Sequence, residues 1–319
     1  MSGADRGTSV LAVDIGGTKV AAARVTSDGR IVSRRREMIA PGGPPAVVDQ
    51  ITRLLRDLLD IPGNEASVAV GIGLPAVLEQ GTDLVIWAPN LPGFRNVPLR
   101  ELLQASIGLP VYLENDGHTA VLGEWWQGAG RNSSNVVAVT IGTGIGGGMI
   151  LDGKLYRGHD RLAGAIGWSS LTTEISEESS ARVYGHWEML AAGPGIARRA
   201  WAGLEAGRSS TLTPTSLTAE RVFDAARAGD AFAQEVVFES ARLIGIGVAN
   251  IVSLLNPDVV VLGGGVGSQA DLILDTVRQV VRDVAQPASG RSAHIESSHL
   301  GDDAGILGAA FAAFERGRV

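Results

Sequence analysis

The sequence predicts an α/β protein of two lobes with a cleft between them. Three observations carry that expectation. The 319 residues exceed what a single hydrophobic core usually organises. Strand-like apolar runs alternate with stretches of helical periodicity along most of the chain. A strand that stops at a glycine turn and resumes as a second strand occurs twice, at residues 11–18 and 137–144, an offset of 126 residues. That near-repeat implies two lobes built on one plan.

Taken in order, residues 10–36 read as two or three strands with turns at Gly16-Gly17 and Asp28-Gly29. Residues 46–59 place Val47, Val48, Ile51, Leu54, Leu55 and Leu58 at helical spacing. A buried strand over 68–74 ends at Pro75, and 99–107 form a short helix. The strand 111–113 leads into Glu114-Asn115-Asp116, and 119–126 read as helix. The second hairpin, 136–156, opens a new lobe, and 169–184 are polar and irregular. Helices follow at 186–204, 218–228 and 230–254. The strand 259–262 then runs into Gly263-Gly264-Gly265, ahead of helices at 271–284 and 304–316. If the last helix crosses back, the lobes comprise 1–117 with 303–319 and 118–302.

Composition narrows the function classes. A chain that is 45% hydrophobic and 19% charged is globular in character. It has no cysteine, which excludes disulfides and thiolate metal sites and fits a reducing, cytoplasmic setting. The net charge of −7 argues against a nucleic-acid partner. Arg34-Arg35-Arg36, the only basic run, reads as a solvated strand or loop edge. No apolar leader opens the chain, and the apolar stretch 241–255 is too short and too glycine-interrupted to span a membrane.

The two glycine hairpins are the strongest chemical signal. Glycine permits positive φ and lets amide groups approach an anion with no Cβ in the way. Facing each other across a cleft, Gly16-Gly17-Thr18-Lys19 and Thr140-Ile141-Gly142-Thr143-Gly144 would grip a nucleotide's phosphates from both sides. Asp14, at the end of its strand, is placed to hold Mg²⁺ through water, because that ion keeps most of its hydration. Asp116 follows a strand and precedes a helix, so its carboxylate would face the cleft and accept a proton from a sugar hydroxyl attacking a γ-phosphate. Helix capping by Asn115 and Asp116 is the competing reading of the same residues. Gly263, Gly264 and Gly265 would let a base or ribose approach the backbone. Trp125, Trp126 and Trp187 read as core or interface.

Together these motifs resemble the ROK family of sugar kinases and repressors, which has the actin-like ATPase (ribonuclease H-like) fold, each lobe a mixed sheet flanked by helices. The match runs in register along nearly the whole chain. Residues 14–19 are similar to the family's first phosphate motif, 140–148 to the second, and 263–266 to the adenosine motif. Glu114-Asn115-Asp116 matches the segment with the catalytic aspartate, while Gly73-Leu74-Pro75 and residues 89–94, which include Asn90, match sugar-side loops. The resemblance implies phosphoryl transfer from ATP with Mg²⁺ to a hexose, a homodimer, and sugar contacts from Gly73, Pro75, Asn90, Asn115, Asp116, Gly144, Trp168 and Glu188. Polyphosphate would use the same hairpins. A repressor would need a DNA-binding domain, and only 13 residues precede Asp14.

The departures are specific. Gly164-Ala165-Ile166-Gly167-Trp168 stands where the family carries a Glu-x-Gly-His segment, so Ala165 replaces a sugar-binding Glu and Trp168 a His shared by zinc and sugar. His186 occupies a position of the zinc-binding cysteine cluster, while Glu188 is retained. No zinc site is expected, and the loop from 168 to 185 must be held by packing, through Trp168 and Trp187. These replacements shift the expected substrate towards a hexose altered around C1–C3, an amino sugar such as kanosamine, with glucose as the other candidate. A non-catalytic sugar-binding protein is the alternative reading.

Overall fold

The computed structural model describes residues 7–62, 66–173 and 185–317. Two five-stranded sheets share one topology. In the first, β1 (Thr8–Ile15), β2 (Lys19–Thr26) and β3 (Ile31–Met38) form an antiparallel meander. The strands β4 (Ala66–Leu74) and β8 (Val111–Asn115) add in parallel on the other side of β1. In the second, β9 (Val136–Ile141), β10 (Ile145–Leu151) and β11 (Lys154–Leu155) repeat the meander. There β12 (Val259–Gly263) and β13 (His294–Ser297) supply the parallel pair. The repeat read from the glycine turns therefore extends to whole sheets. A three-stranded sheet of β5 (Val77–Leu78), β6 (Val85–Trp87) and β7 (Arg95–Val97), absent from the sequence reading, lies between β4 and β8 in the chain. Strands of two or three residues are too short for alternation to be seen.

Helices α1 (Pro44–Leu59) and α2 (Leu99–Ile107) pack their apolar faces on the first sheet, against Leu11, Val13 and Ile15. The second sheet is covered by α4 (His186–Ala191), α5 (Gly193–Glu205), α6 (Ala219–Arg227), α7 (Ala231–Leu255) and α9 (Ala270–Val284). Between β12 and α9 runs the single turn α8 (Gly264–Gly267), and α10 (Pro287–Ser292) precedes β13. The expected helix 186–204 is two helices. Ala192 takes an extended backbone (φ −72°, ψ 167°), and Pro194, in the first turn of the next helix, lacks the amide needed to continue one. At 25 residues, α7 is long and apolar enough by composition to cross a membrane, longer than the 241–255 stretch suggested. Its apolar side, from Phe232 to Val252, is buried in the second core. Most of the segment 169–184, expected to be irregular, lies outside the described residues.

Two helices join the halves. The strand β8 leads into α3 (Asp116–Gln127), which packs on β9 and β10 of the second sheet. After β13, α11 (Ala304–Arg316) packs on β1 and β4 of the first sheet. Each helix thus serves the sheet that did not precede it, and the two cross in backbone contact. A Cβ on Gly308 would lie 1.7 Å from the Thr119 carbonyl oxygen, and one on Gly123 would lie 2.1 Å from that of Ala304. Trp125 and Trp126 close one end of the crossing against Phe311 and Phe314, with ring centroids 5.5–6.0 Å apart.

A buried ionic cluster fixes the other end. Glu114 accepts from Arg157 (2.7 and 2.9 Å) and from Arg316 (3.1 Å), and its other oxygen is 3.0 Å from His118 Nδ1. The second ring nitrogen of His118 lies 2.8 Å from the Ala163 carbonyl oxygen. Arg161 pairs with Asp83 and donates to the Leu113 carbonyl (3.1 Å). One carboxylate thereby ties β8, α3, the 157–163 loop and the C-terminal helix together. Burial pushes the Glu114 carboxyl up, but the hydrogen bond from His118 and the Arg157 guanidinium outweigh it and hold the group well below the usual carboxylate range.

Two outcomes follow for stability. Gly308→Ala should cost about 3 kcal/mol, read from urea unfolding, because backbone and not a movable side chain meets the added methyl. Glu114→Ala should cost about 3 kcal/mol at neutral pH, since the buried Arg161 and the partly buried Arg157 and Arg316 lose their counter-charge. With its folded-state pKa depressed, Glu114 stabilises fully above the unfolded value of about 4.5. The gap between wild type and variant should therefore narrow as pH falls below that value.

Candidate active site

Both glycine hairpins end in three-residue turns, Gly16-Gly17-Thr18 between β1 and β2 and Gly142-Thr143-Gly144 between β9 and β10. Neither turn uses a positive φ at its glycines, contrary to the expectation from glycine's freedom. The missing Cβ provides clearance from protein atoms at Gly144 but not at Gly142. An added Cβ at Gly142 would meet nothing within 4 Å, whereas one at Gly144 would strike the Glu188 carboxylate at 2.5 Å. Of the expected phosphate and adenosine residues only Gly264 sits at positive φ (77°), where an added Cβ would lie 2.5 Å from the Ile141 carbonyl oxygen.

The two turns border one cavity of about 440 Å³ between the sheets, within the range of small-molecule sites. Asp14, Gly16, Asn90 and Asp116 line it from the first half; Thr140, Gly142, Thr143, Gly144, Glu188, Gly263 and Gly264 line it from the second. A second cavity of about 470 Å³ shares Gly142 and Thr143 with the first and continues past Gly265 between Pro194, Leu217, Phe223 and Val266. The pair forms one path, with a polar, carboxylate-lined part between the turns and a further part beside α6.

Two carboxylates dominate the polar part. Asp116 opens α3, three residues before the expected helix start, while the preceding Asn115 accepts the Gly117 amide (2.9 Å) in the capping position. Asp116 is exposed to the cleft, and the protein around the cleft desolvates its carboxylate. That desolvation pushes its pKa up against the opposing hydrogen bond from the Gly117 amide (2.8 Å). At the end of β1, Asp14 is pushed up to about 7, first by burial and then by the charge of Asp116, with Arg36 pulling the other way. Gly305, in the first turn of α11, makes room for it, since a Cβ there would stand 2.7 Å from the Asp14 carboxyl carbon. Two raised carboxylates sharing one cleft are a pattern typical of functional sites.

The remaining predicted residues occupy other places. Thr18 and Lys19 are exposed at the tip of the first turn, and an added Cβ on Gly17 would lie 3.2 Å from the Asn90 Cβ. Gly73 sits beneath Thr119, whose hydroxyl oxygen would be 2.7 Å from an added Cβ. Asn115 donates to the Ala76 carbonyl (3.3 Å), beside Pro75 and behind Asp116. Trp168 ends a 3-10 turn with 54% of its surface exposed, and Ala165 before the turn is exposed too.

The packing expected of the two tryptophans is thus corrected for one of them. Trp187 is 1% exposed, whereas Trp168 is 54% exposed. Among the described residues, hydrogen bonds join the two ends of the loop: the Trp187 amide donates to the Ser169 carbonyl (3.0 Å), and the His186 ring accepts the Leu171 amide (3.2 Å). Glu188 accepts the Ile145 amide (2.8 Å), which anchors the second turn, and burial pushes its pKa up.

Sequence reasoning missed four cavity residues with polar or charged side chains: Arg36, Glu124, Ser298 and Asp302. Glu124 accepts the Ala129 amide (2.9 Å) and the Leu300 amide (3.2 Å) and is bonded by the Ser298 hydroxyl. Arg36 was read as part of a solvated edge. Its strand is indeed the edge strand, but the side chain lines the cleft and pairs with Asp302 at 2.8 Å. Strand register would have revealed it, since Arg36 pairs with Ala21 and Ala21 with Asp14.

Residues 10–316 match the ROK family. A glucokinase of Halalkalibacterium halodurans is 35% identical over 93% of this chain and 92% of its own length. A xylose repressor of Caldicellulosiruptor bescii is 32% identical over 82% of this chain and 67% of its own. Among solved structures, a ROK family glucokinase from Streptomyces griseus in complex with glucose and AMPPNP superposes with a TM-score of 0.81 at 31% identity, covering 96% of this chain and 99% of that one. The two sheets and their crossing helices are accordingly those of the actin-like ATPase fold. The chain belongs to the ROK family, as a variant without the zinc-binding cysteines.

Proposed function

We propose that this chain is a cytoplasmic, homodimeric kinase that moves the γ-phosphoryl group of ATP to the 6-hydroxyl of a hexose. The observation that carries the reading is the Asp116 carboxylate, standing in the cleft opposite the two glycine turns with its pKa raised. A raised pKa suits a general base, because it brings proton affinity closer to the working pH. The relatives called glucokinase, and the neighbouring structure holding glucose and a nucleotide analogue, support the substrate classes.

The sugar hydroxyl oxygen attacks the γ-phosphorus in line and passes its proton to Asp116. The bond from that phosphorus to the bridging oxygen breaks, and its electron pair leaves with ADP. The first cavity accepts the phosphates and sugar; the second accepts the base, against Phe223 and Val266. Asn90 and Glu188 supply polar groups on the sugar side. Glucose and amino-hexoses such as kanosamine are the candidate acceptors, because Ala165 and Trp168 withdraw a carboxylate and an imidazole from hydroxyl recognition.

Asp14 fits a hydrated divalent cation. It is a hard oxygen donor beside a second carboxylate, with a cradle kept open by Gly305, and burial and the charge of Asp116 raise its pKa, which a bound cation would offset. When bound there, Mg²⁺ neutralises charge on the terminal phosphates.

Three results test the reading. ADP release from Mg·ATP should depend on one sugar of a panel holding glucose, mannose, glucosamine, N-acetylhexosamines and 3-amino-3-deoxyglucose. Sugar binding without turnover would instead indicate a regulator, as the xylose repressor relative allows. Asp116→Asn should lower kcat by about 10²–10⁴-fold while sugar affinity by calorimetry changes little. The third is a pH dependence. Because the Asp14 carboxyl is raised to about 7, the free protein loses stability as pH rises from about 3.8 towards 7, and a bound cation restores it. Mg·ATP binding should therefore tighten up to about tenfold per pH unit below 7 and level off above it, and Asp14→Asn should flatten that dependence.

A further inference from the structure

Arg36 lies on the same cross-strand row as Asp14, with Ala21 of β2 between them. Residues paired across a sheet project from the same face, and two strand spacings separate the ends of this row by about 10 Å. The intervening Ala21 is buried in the core, while Arg36, Asp14 and Gly16 of the first turn line the same cavity.

Among the described residues lining the cleft cavity, Arg36 is the only one with a cationic side chain. Five carboxylates line the same space. Two of them are already engaged: Glu124 with backbone amides and Ser298, Glu188 with the Ile145 amide. Asp14 and Asp116 face the cleft, and Asp302 holds Arg36. A triphosphate entering this space meets repulsion from the acidic walls and attraction from one guanidinium. The Arg36–Asp302 pair is at the surface, with the side chains 41% and 76% exposed, so water screens it and exchange for a phosphate costs little. A guanidinium fork is suited to two oxygens of one phosphoryl group.

We propose that Arg36 is the residue that contacts the terminal phosphoryl group of the nucleoside triphosphate, and that Asp302 holds its guanidinium at the cleft until the nucleotide arrives. This rests on the kinase reading above. Charge accumulates on the transferring group's equatorial oxygens as it leaves ADP, and a guanidinium positioned there stabilises it more in the transition state than in the ground state.

The test compares the full chain with Arg36→Met, Arg36→Lys and Asp302→Asn in sugar-dependent ADP release, with calorimetry for sugar, Mg·ATP and Mg·ADP. Arg36→Met should lower kcat about 10²-fold with wild-type sugar affinity, which also certifies its fold. It should weaken Mg·ATP more than Mg·ADP, because only the former carries the contacted group. Arg36→Lys should recover part of kcat, and Asp302→Asn should lower it far less than Arg36→Met. The proposal is overturned if Arg36→Met keeps kcat within about twofold. It is equally overturned if Asp302→Asn costs as much, since Arg36 would then only anchor the turn before α11. If wild type turns over no sugar, the kinase reading falls and Arg36 is judged on nucleotide binding alone. Loss of ATP preference in Arg36→Met then supports the contact, and equal affinities in both proteins refute it.

Discussion

The backbone contact between α3 and α11 is the constraint on which the cleft depends. Each helix leaves one sheet and packs on the other, so neither half can be assembled without the helix supplied by its counterpart. The crossing is close because Gly123 and Gly308 place no side chain against the facing carbonyls of Ala304 and Thr119. That closeness sets the chemistry. The start of α3 carries Asp116 and the start of α11 passes over Asp14 at Gly305, so the crossing brings both carboxylates to one cavity. A helix pair held one side-chain layer further apart would separate them.

Electrostatics then divides the molecule into two regions with opposite logic. Behind the cleft, Glu114 is surrounded by guanidinium groups and His118, and its charge is stabilised in the folded state. Inside the cleft, Asp14 and Asp116 lack such partners, and burial works against their ionisation. The first arrangement fixes the 157–163 loop relative to β8 and α3. The second places two carboxylates with raised pKa values together in the cleft cavity. Rigid support behind an unsatisfied site is how a protein keeps such charges close without collapsing around them.

Loss of the zinc cluster is accommodated through the backbone. His186, at a cysteine position of the family pattern, uses its ring to accept the Leu171 amide, and the neighbouring Trp187 is buried in the second core. The adjoining Glu188 anchors the second glycine turn through the Ile145 amide. The short helix α4 thus links residues 169–171 to the second glycine turn by hydrogen bonds and packing.

What the sequence determined by itself was whatever is local or repeated. Hairpin turns, helical periodicity and the echo of residues 11–18 in 137–144 depend on neighbours in the chain, and they predict the α/β class and both meanders. Asp14 and Asp116 could be singled out because each ends a strand beside a turn or a helix start. Tertiary structure alone decided which of these groups meet. Arg36 joined the cleft through register with Ala21 and Asp14, and Asp302 through the path of the chain into α11. None of the glycines of the two turns uses a left-handed backbone, and Gly144 is the one whose missing Cβ clears a close neighbour, the Glu188 carboxylate. The short sheet of β5, β6 and β7 was hidden because runs of two or three residues carry no periodic signal, whereas the break at Ala192 was legible locally in Gly193-Pro194-Gly195. The physical reason is common to what stayed hidden: pairing, burial and charge coupling belong to residues distant in sequence, and no local pattern encodes their partners.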